Sequence, residues 1–184
     1  MPMLAVFAFS ASDASAETWS GPFGGSEGNP ARSSRPASNL GVAWGSDATI
    51  ASEAMHCVSY GGGIVFTSAS DENDDVRYVA VDAASGETVW TSVPRKAVGG
   101  CPQLSEGIVY LAYQRKADNV WAVAGLNADD GSQVWEYDLP SGRSVGPYYS
   151  GRIELADDRI YVVSDGSPGP ALLALDPATG GLVW

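Results

Sequence analysis

The segment Ala80-Val81-Asp82-Ala83-Ala84-Ser85-Gly86-Glu87-Thr88-Val89-Trp90 recurs without a gap as Ala174-Leu175-Asp176-Pro177-Ala178-Thr179-Gly180-Gly181-Leu182-Val183-Trp184. A weaker copy, Gly125-Leu126-Asn127-Ala128-Asp129-Asp130-Gly131-Ser132-Gln133-Val134-Trp135, keeps the glycine and the tryptophan but has Gly for Ala and Asn for Asp. With Trp44 as a fourth mark, the tryptophans stand 46, 45 and 49 residues apart. A period of that length signals a repeated structural unit of about four strands.

Each copy is preceded by an apolar run: Ile64-Val65-Phe66, Ile108-Val109-Tyr110 and Ile160-Tyr161-Val162. These begin 26, 27 and 24 residues before their tryptophans, so the three runs read as one strand of the repeat. Four short strands are expected per unit. In the second unit they fall near 97–103, 107–113, 119–126 and 132–137, with turn residues between them. Alternation is clear in Tyr78-Val79-Ala80-Val81-Asp82, where both faces carry apolar residues, as stacked sheets require. The Asp and Gly of the motif have a mechanical reading. Asp82 or Asp176 ends a strand and accepts hydrogen bonds from turn N–H groups, while Gly86, Gly131 or Gly180 supplies the positive φ of a short hairpin with a bulge. With the register set there, Trp90, Trp135 and Trp184 leave the next strand at a constant position. The indole is expected to wedge between neighbouring sheets, its N–H on a backbone acceptor.

Composition agrees with an all-β chain. In 184 residues, 22 Gly and 11 Pro interrupt the sequence so often that few windows could hold a ten-residue helix. At 45% hydrophobic and 17% charged there is enough apolar material for a packed core. Ten Lys+Arg against 22 Asp+Glu give a formal net charge of −12, which repels phosphate backbones and argues against nucleic acid as a partner. No apolar run reaches the roughly 18 residues of a transmembrane helix. One His and two Cys do not make a conventional zinc site unaided.

The ends are organised differently from the middle. Leu4 to Phe9 is nearly all apolar, and Ala14-Ser15-Ala16 has the small-x-small form of a signal-peptidase site. Residues 1–16 are therefore expected to be a signal peptide, although no Lys or Arg precedes the apolar run, and a buried N-terminal strand is the competing reading. Residues 17–39 form a Gly/Pro/Ser-rich stretch, expected to be a lead-in that packs locally through Trp19 and Phe23. Residues 40–184 hold the repeats, divided at about 45–90, 91–135 and 136–184.

The Ala-x-Asp-x-x-x-Gly-x-x-x-Trp pattern resembles the tryptophan-docking motif of PQQ-like, quinoprotein-type β-propellers. Ala80, Asp82, Gly86 and Trp90 match its fixed positions, as do Ala174, Asp176, Gly180 and Trp184, whereas the middle copy keeps Gly131 and Trp135. The lead-in Trp19…Phe23-Gly24-Gly25…Asn29…Leu40…Trp44 is similar to the opening of such proteins. The resemblance implies a partial β-propeller of about three four-stranded antiparallel blades. Since radial propellers typically close with four to eight blades, a fragment of a larger propeller is expected.

Functionally the resemblance points two ways. The first is an exported, non-catalytic binding or scaffold module, similar in type to the propeller lipoprotein of the outer-membrane barrel-assembly machinery, though no lipidation Cys stands near the signal. Its partner would be a protein or the remaining blades, its location periplasmic, cell-surface or extracellular, and it would need no cofactor. The second is the N-terminal part of a PQQ-dependent quinoprotein dehydrogenase. In that branch the quinone stacks on a ring formed by adjacent cysteines, with Ca²⁺ and a catalytic Asp beside it. Here no Cys-Cys pair occurs, no residue can be matched to the Ca²⁺ or base positions, and no catalytic, cofactor-binding or metal residue is assigned.

Other residues have plainer readings. Cys57 and Cys101 share a phase, each seven residues before its Ile, and are expected on the innermost strands of adjacent blades. They are expected either to form a disulfide, as export would allow, or to be two buried thiols. His56, the only histidine, has no acidic or Ser neighbour that would make a triad and is expected to be a packing or surface residue. Asp71-Glu72-Asn73-Asp74-Asp75 lacks the spacing and glycine turn of a calcium loop and reads as a solvated tip, and Asp129-Asp130 and Asp157-Asp158 read as turns.

Overall fold

A computed structural model describes residues 58–70, 75–145 and 153–184. The expectations for the signal peptide, the lead-in, Trp19, Trp44, His56, Cys57 and Asp71 to Asp74 lie outside the described residues.

The described chain is all-β. The first sheet is β1 (Ser59–Gly61), β2 (Ile64–Ser70), β3 (Val76–Asp82) and β4 (Thr88–Thr91), neighbours in that order. The second repeats it with β5 (Ala97–Ser105), β6 (Ile108–Gln114), β7 (Trp121–Asn127) and β8 (Gln133–Asp138). The third contains β9 (Arg143–Ser144), β10 (Ile153–Ala156), β11 (Arg159–Gly166) and β12 (Ala171–Leu175). All pairings are antiparallel, and four strands per unit follow the alternation and breakers of the sequence.

The third sheet is built differently from the simple expectation. Both β9 and β10 pair with β11, β9 at Asp165–Gly166 and β10 at Arg159–Val162, so two segments share the inner edge of this sheet. Beyond β12 the outer strand is represented by the Leu175–Leu182 bridge and by hydrogen bonds between Ala174 and both Val183 and Trp184.

Turn chemistry sets the register. The first hairpin of every sheet has two central residues, Gly62-Gly63, Glu106-Gly107 and Asp157-Asp158, all with positive φ from 49° to 81°. Two consecutive positive φ values are what a type I′ turn demands, and its twist matches that of the strands it joins. The last hairpin of the first two units carries a bulge. Val81 pairs with Thr88 but Ala80 with Trp90, and Leu126 pairs with Gln133 but Gly125 with Trp135. The extra residues, Val89 and Val134, are left exposed on the outer edge.

Register also corrects one alignment. Ile64 and Ile108 pair with Asp82 and Asn127, but Ile160 pairs with Leu175, not with Asp176. Ile160 is thus the counterpart of Val65 and Val109, and Tyr161 that of Phe66 and Tyr110. The three runs match in sequence at their first β-branched residue, whereas the sheet counts from the Asp turn. A slip of one residue exchanges the two faces of a strand, so the distinction decides which side chains meet the neighbouring blade.

The apolar core lies between sheets. Phe66, Tyr78, Ala80 and Trp90 of the first sheet pack on Val109, Leu111, Tyr113, Ala122, Ala124 and Leu126 of the second. Tyr110, Ala112, Val123 and Trp135, from the other face of the second, pack on Ile153, Ile160, Val162 and Leu175 of the third. The second sheet is therefore buried on both faces, which explains the near-continuous apolar run of β6 and β7.

Candidate functional site at the blade seams

Each seam is organised at one end by the Asp turn. Asp82 Oδ1 accepts hydrogen bonds from Ala84 N (3.0 Å), Ser85 N (2.8 Å) and Ser85 Oγ (2.9 Å), and Gly86 N donates to Asp82 O at 2.8 Å. Asp176 repeats the set with Ala178 N, Thr179 N and Thr179 Oγ1 at 2.9–3.0 Å. The Ser85 N–H holds the Asp82 carboxyl below the usual carboxylate range, and the Thr179 hydroxyl does the same for Asp176. In the middle copy the amide oxygen of Asn127 accepts from Asp129 N at 2.8 Å, and a lowered Asp130, bonded to Ser132, contributes a second turn contact. Asn can stand for Asp because the turn needs an oxygen acceptor rather than a charge.

Gly86, Gly131 and Gly180 have φ of 79°, 71° and 70°. At two of them there is a second requirement. A Cβ on Gly131 would lie 2.7 Å from the Trp90 ring, and one on Gly180 would lie 2.4 Å from Trp135. Each of these tryptophans rests on the turn glycine of the following blade. Trp90 Nε1 donates to Ala128 O at 2.7 Å, and Trp135 Nε1 to Pro177 O at 2.8 Å. Both indoles are buried, whereas Trp184 is 58% exposed.

Two further members of this arrangement are not in the motif. An aromatic ring from the second strand backs each tryptophan: Phe66–Trp90, Tyr110–Trp135 and Tyr161–Trp184, with centroids 5.9, 6.0 and 6.1 Å apart. Gly125 is the other, since a Cβ there would stand 2.8 Å from Trp135. The Ala-to-Gly change that makes the middle copy degenerate thus makes room for its own indole. The apolar runs contain the aromatic signal, but it is hidden by the one-residue slip in the third.

The opposite end of the first seam is ionic. Arg115 binds Asp138 at 2.6 and 2.8 Å, Asp118 at 2.9 Å, and the Glu136 carboxylate, which also accepts from the Tyr113 hydroxyl. Asp118 and the other carboxylates push Arg115 up, and burial pushes the Tyr113 hydroxyl above the ordinary tyrosine range. Lys116 reaches Asp75 of the first sheet at 2.6 Å, so the last residue of the acidic run is paired across the seam. The Arg95 guanidinium lies 3.7 Å over the Tyr113 ring. Nothing in the sequence marks this cluster, because Arg115 meets partners 3, 21 and 23 residues away. Near the inner strands, Ser59 Oγ donates to Pro102 O, and Cys101 is disulfide-bonded.

Residues 39–184 match the family model described as outer membrane protein assembly factor BamB. The chain belongs to the PQQ-like β-propeller family. No curated protein matches it. Among solved structures, the quinohemoprotein alcohol dehydrogenase of Comamonas testosteroni superposes with a TM-score of 0.58 at 20% identity, covering 79% of this chain and 30% of that one. The quinohemoprotein alcohol dehydrogenase ADHIIG of Pseudomonas putida HK5 gives 0.51 at 17% identity, covering 70% and 25%. BamB of Moraxella catarrhalis gives 0.46 at 20%, covering 67% and 33%. At such identities the likeness is one of fold, and the chain spans no more than about a third of these proteins. Three stacked four-stranded sheets are accordingly part of a PQQ-like propeller. No helix among the described residues is long and apolar enough to cross a membrane.

Proposed function

We propose that this chain is an exported, non-catalytic propeller module that presents seams and blade edges to a protein partner. One observation carries the reading: the residues that make the repeat recognisable are engaged in building it. The carboxylates of Asp82 and Asp176 are held by their own turns, and the indole N–H groups of Trp90 and Trp135 by the next blade. In each of these carboxylates Oδ1 serves the turn, so the motif Asp has a structural role that accounts for its place in the repeat without chemistry. The family description as an assembly factor supports a role in binding. Export is supported by the Ala14-Ser15-Ala16 site and by the disulfide at Cys101, for which Cys57 is the proposed partner.

The dehydrogenase reading is tested against it directly. Expressed in a bacterium with its own N-terminus, the chain is expected in the envelope fraction beginning at Glu17, with Cys57 joined to Cys101 in a non-reducing peptide map. That material is then titrated with pyrroloquinoline quinone and Ca²⁺, following tryptophan fluorescence and dye reduction with alcohols. Neither signal is expected to respond. Saturable quenching accompanied by dye reduction would overturn the scaffold reading.

A further inference from the structure

Arg95 sits in the link between β4 and β5 and is fixed there by its backbone. Its N–H donates to Val76 O at 2.7 Å, and its carbonyl accepts from Val76 N at 3.1 Å. From this anchor the side chain crosses the first seam and lies over Tyr113 of β6, with Cζ 3.7 Å from the ring centroid. The residue is only 9% exposed. Stacking on a ring satisfies the face of a guanidinium, but its five N–H donors lie in the plane and need acceptors of their own. Arg95 Nε is buried without a partner, and no described residue accepts a hydrogen bond from this side chain.

The carboxylates of the rim are engaged elsewhere. Glu136 is held by Tyr113 and Arg115, Asp118 and Asp138 by Arg115, and Asp75 by Lys116. Among the described residues a nine-tenths-buried cation is thus left without a carboxylate. We propose that the Arg95 guanidinium, held flat on Tyr113 at the first seam, seats the carboxylate of an incoming ligand. Two parallel N–H groups of a guanidinium match the two oxygens of a carboxylate. The surrounding acids favour a singly charged carboxylate over phosphate, whose second charge they repel more strongly. This goes beyond the scaffold reading and does not rest on it, since a carboxylate seat would serve a partner's chain end or a small acid alike.

The test is a titration of the whole ¹⁵N-labelled chain, observing the Arg95 Nε–H resonance, assigned by its nuclear Overhauser contacts with the Tyr113 ring beneath it. The probes are succinate, a short peptide with a free C-terminus, the same peptide amidated, and inorganic phosphate at matched ionic strength. A saturable shift with succinate identifies a seat for small free acids. Saturation with the free-ended peptide alone identifies a seat for a chain end. Either supports the proposal, and binding followed through the Tyr113 ring signals should weaken by at least about tenfold in Arg95→Lys, which keeps the charge but loses the fork. No saturation by either acid, an equal response to the amidated peptide, or an equal response to phosphate overturns it. Because these comparisons use the wild-type chain, they decide the matter even if Arg95→Lys does not fold.

Discussion

Trp90 and Trp184 occupy the same position of the repeat and differ in what covers them. Trp90 has Phe66 behind it, Gly131 beneath it and Ala128 O on its N–H, while Trp184 has the equivalent ring of Tyr161 but remains mostly open. Truncating a buried aromatic removes its transfer energy and leaves a cavity, so Trp90→Ala is expected to cost about 3–5 kcal/mol. Trp184→Ala should stay within about 1 kcal/mol, as exposed substitutions generally do. Urea unfolding of the two variants checks this, and coincident midpoints would contradict the seam geometry. Gly131 is constrained twice over, by its φ of 71° and by the indole above it, whereas Gly62 has a similar φ with open space around it.

At the scale of the element, the Asp turn joins acid–base behaviour to stability. The Asp82 and Asp176 carboxyls titrate below their ordinary values because turn N–H and hydroxyl groups bond the charged form. A folded-state value below the unfolded one means that the contribution is present above the unfolded pKa and is lost as pH falls through the folded one. Stability from these turns should therefore disappear below about pH 4. Replacing both by Asn, as nature has at Asn127, should flatten the fall of the urea midpoint between about pH 5 and pH 3 relative to the parent. An identical pH profile for parent and double variant would show that the turns carry no linked stability. The Asp-x-x-x-Gly spacing made this element readable beforehand, since every participant lies within five residues. The ionic rim around Arg115 could not be read that way, because it is assembled by strand pairing.

At the scale of the whole chain, the third sheet has a face whose equivalent in the second is covered by the next blade. In the second blade Tyr110, Ala112, Val123 and Trp135 are buried against the third. In the third, the pairs Tyr161–Ala174 and Val163–Leu172 place the equivalent residues on the outward face, where Val163 is 37% and Leu172 49% exposed beside Trp184. An apolar sheet face of this kind drives association with a second copy. The weight-average mass in sedimentation equilibrium is expected to rise with concentration, and Leu172→Glu to hold the chain monomeric. A concentration-independent monomer in the parent would show that the face tolerates water.

Local pattern was sufficient for much of this protein. The period of the tryptophans, the alternation in strands such as Val76–Asp82 and the Asp-to-Gly spacing each encode a structure formed within a few residues of itself, because backbone sterics and turn hydrogen bonds act at short range. They specified an all-β chain, four strands per unit and the turns that set their register. Other features depended on which blade lies against which. The rings behind the tryptophans, the clearance at Gly125, Gly131 and Gly180, the pairing of Arg115 with Glu136 and Asp138, and the lone guanidinium of Arg95 all join residues separated by at least ten positions or drawn from different sheets. Packing is indifferent to sequence distance, and a one-residue slip, as at Ile160, exchanges the buried and outward faces. Only the folded chain, with its registers set, decides which side chains meet across a seam.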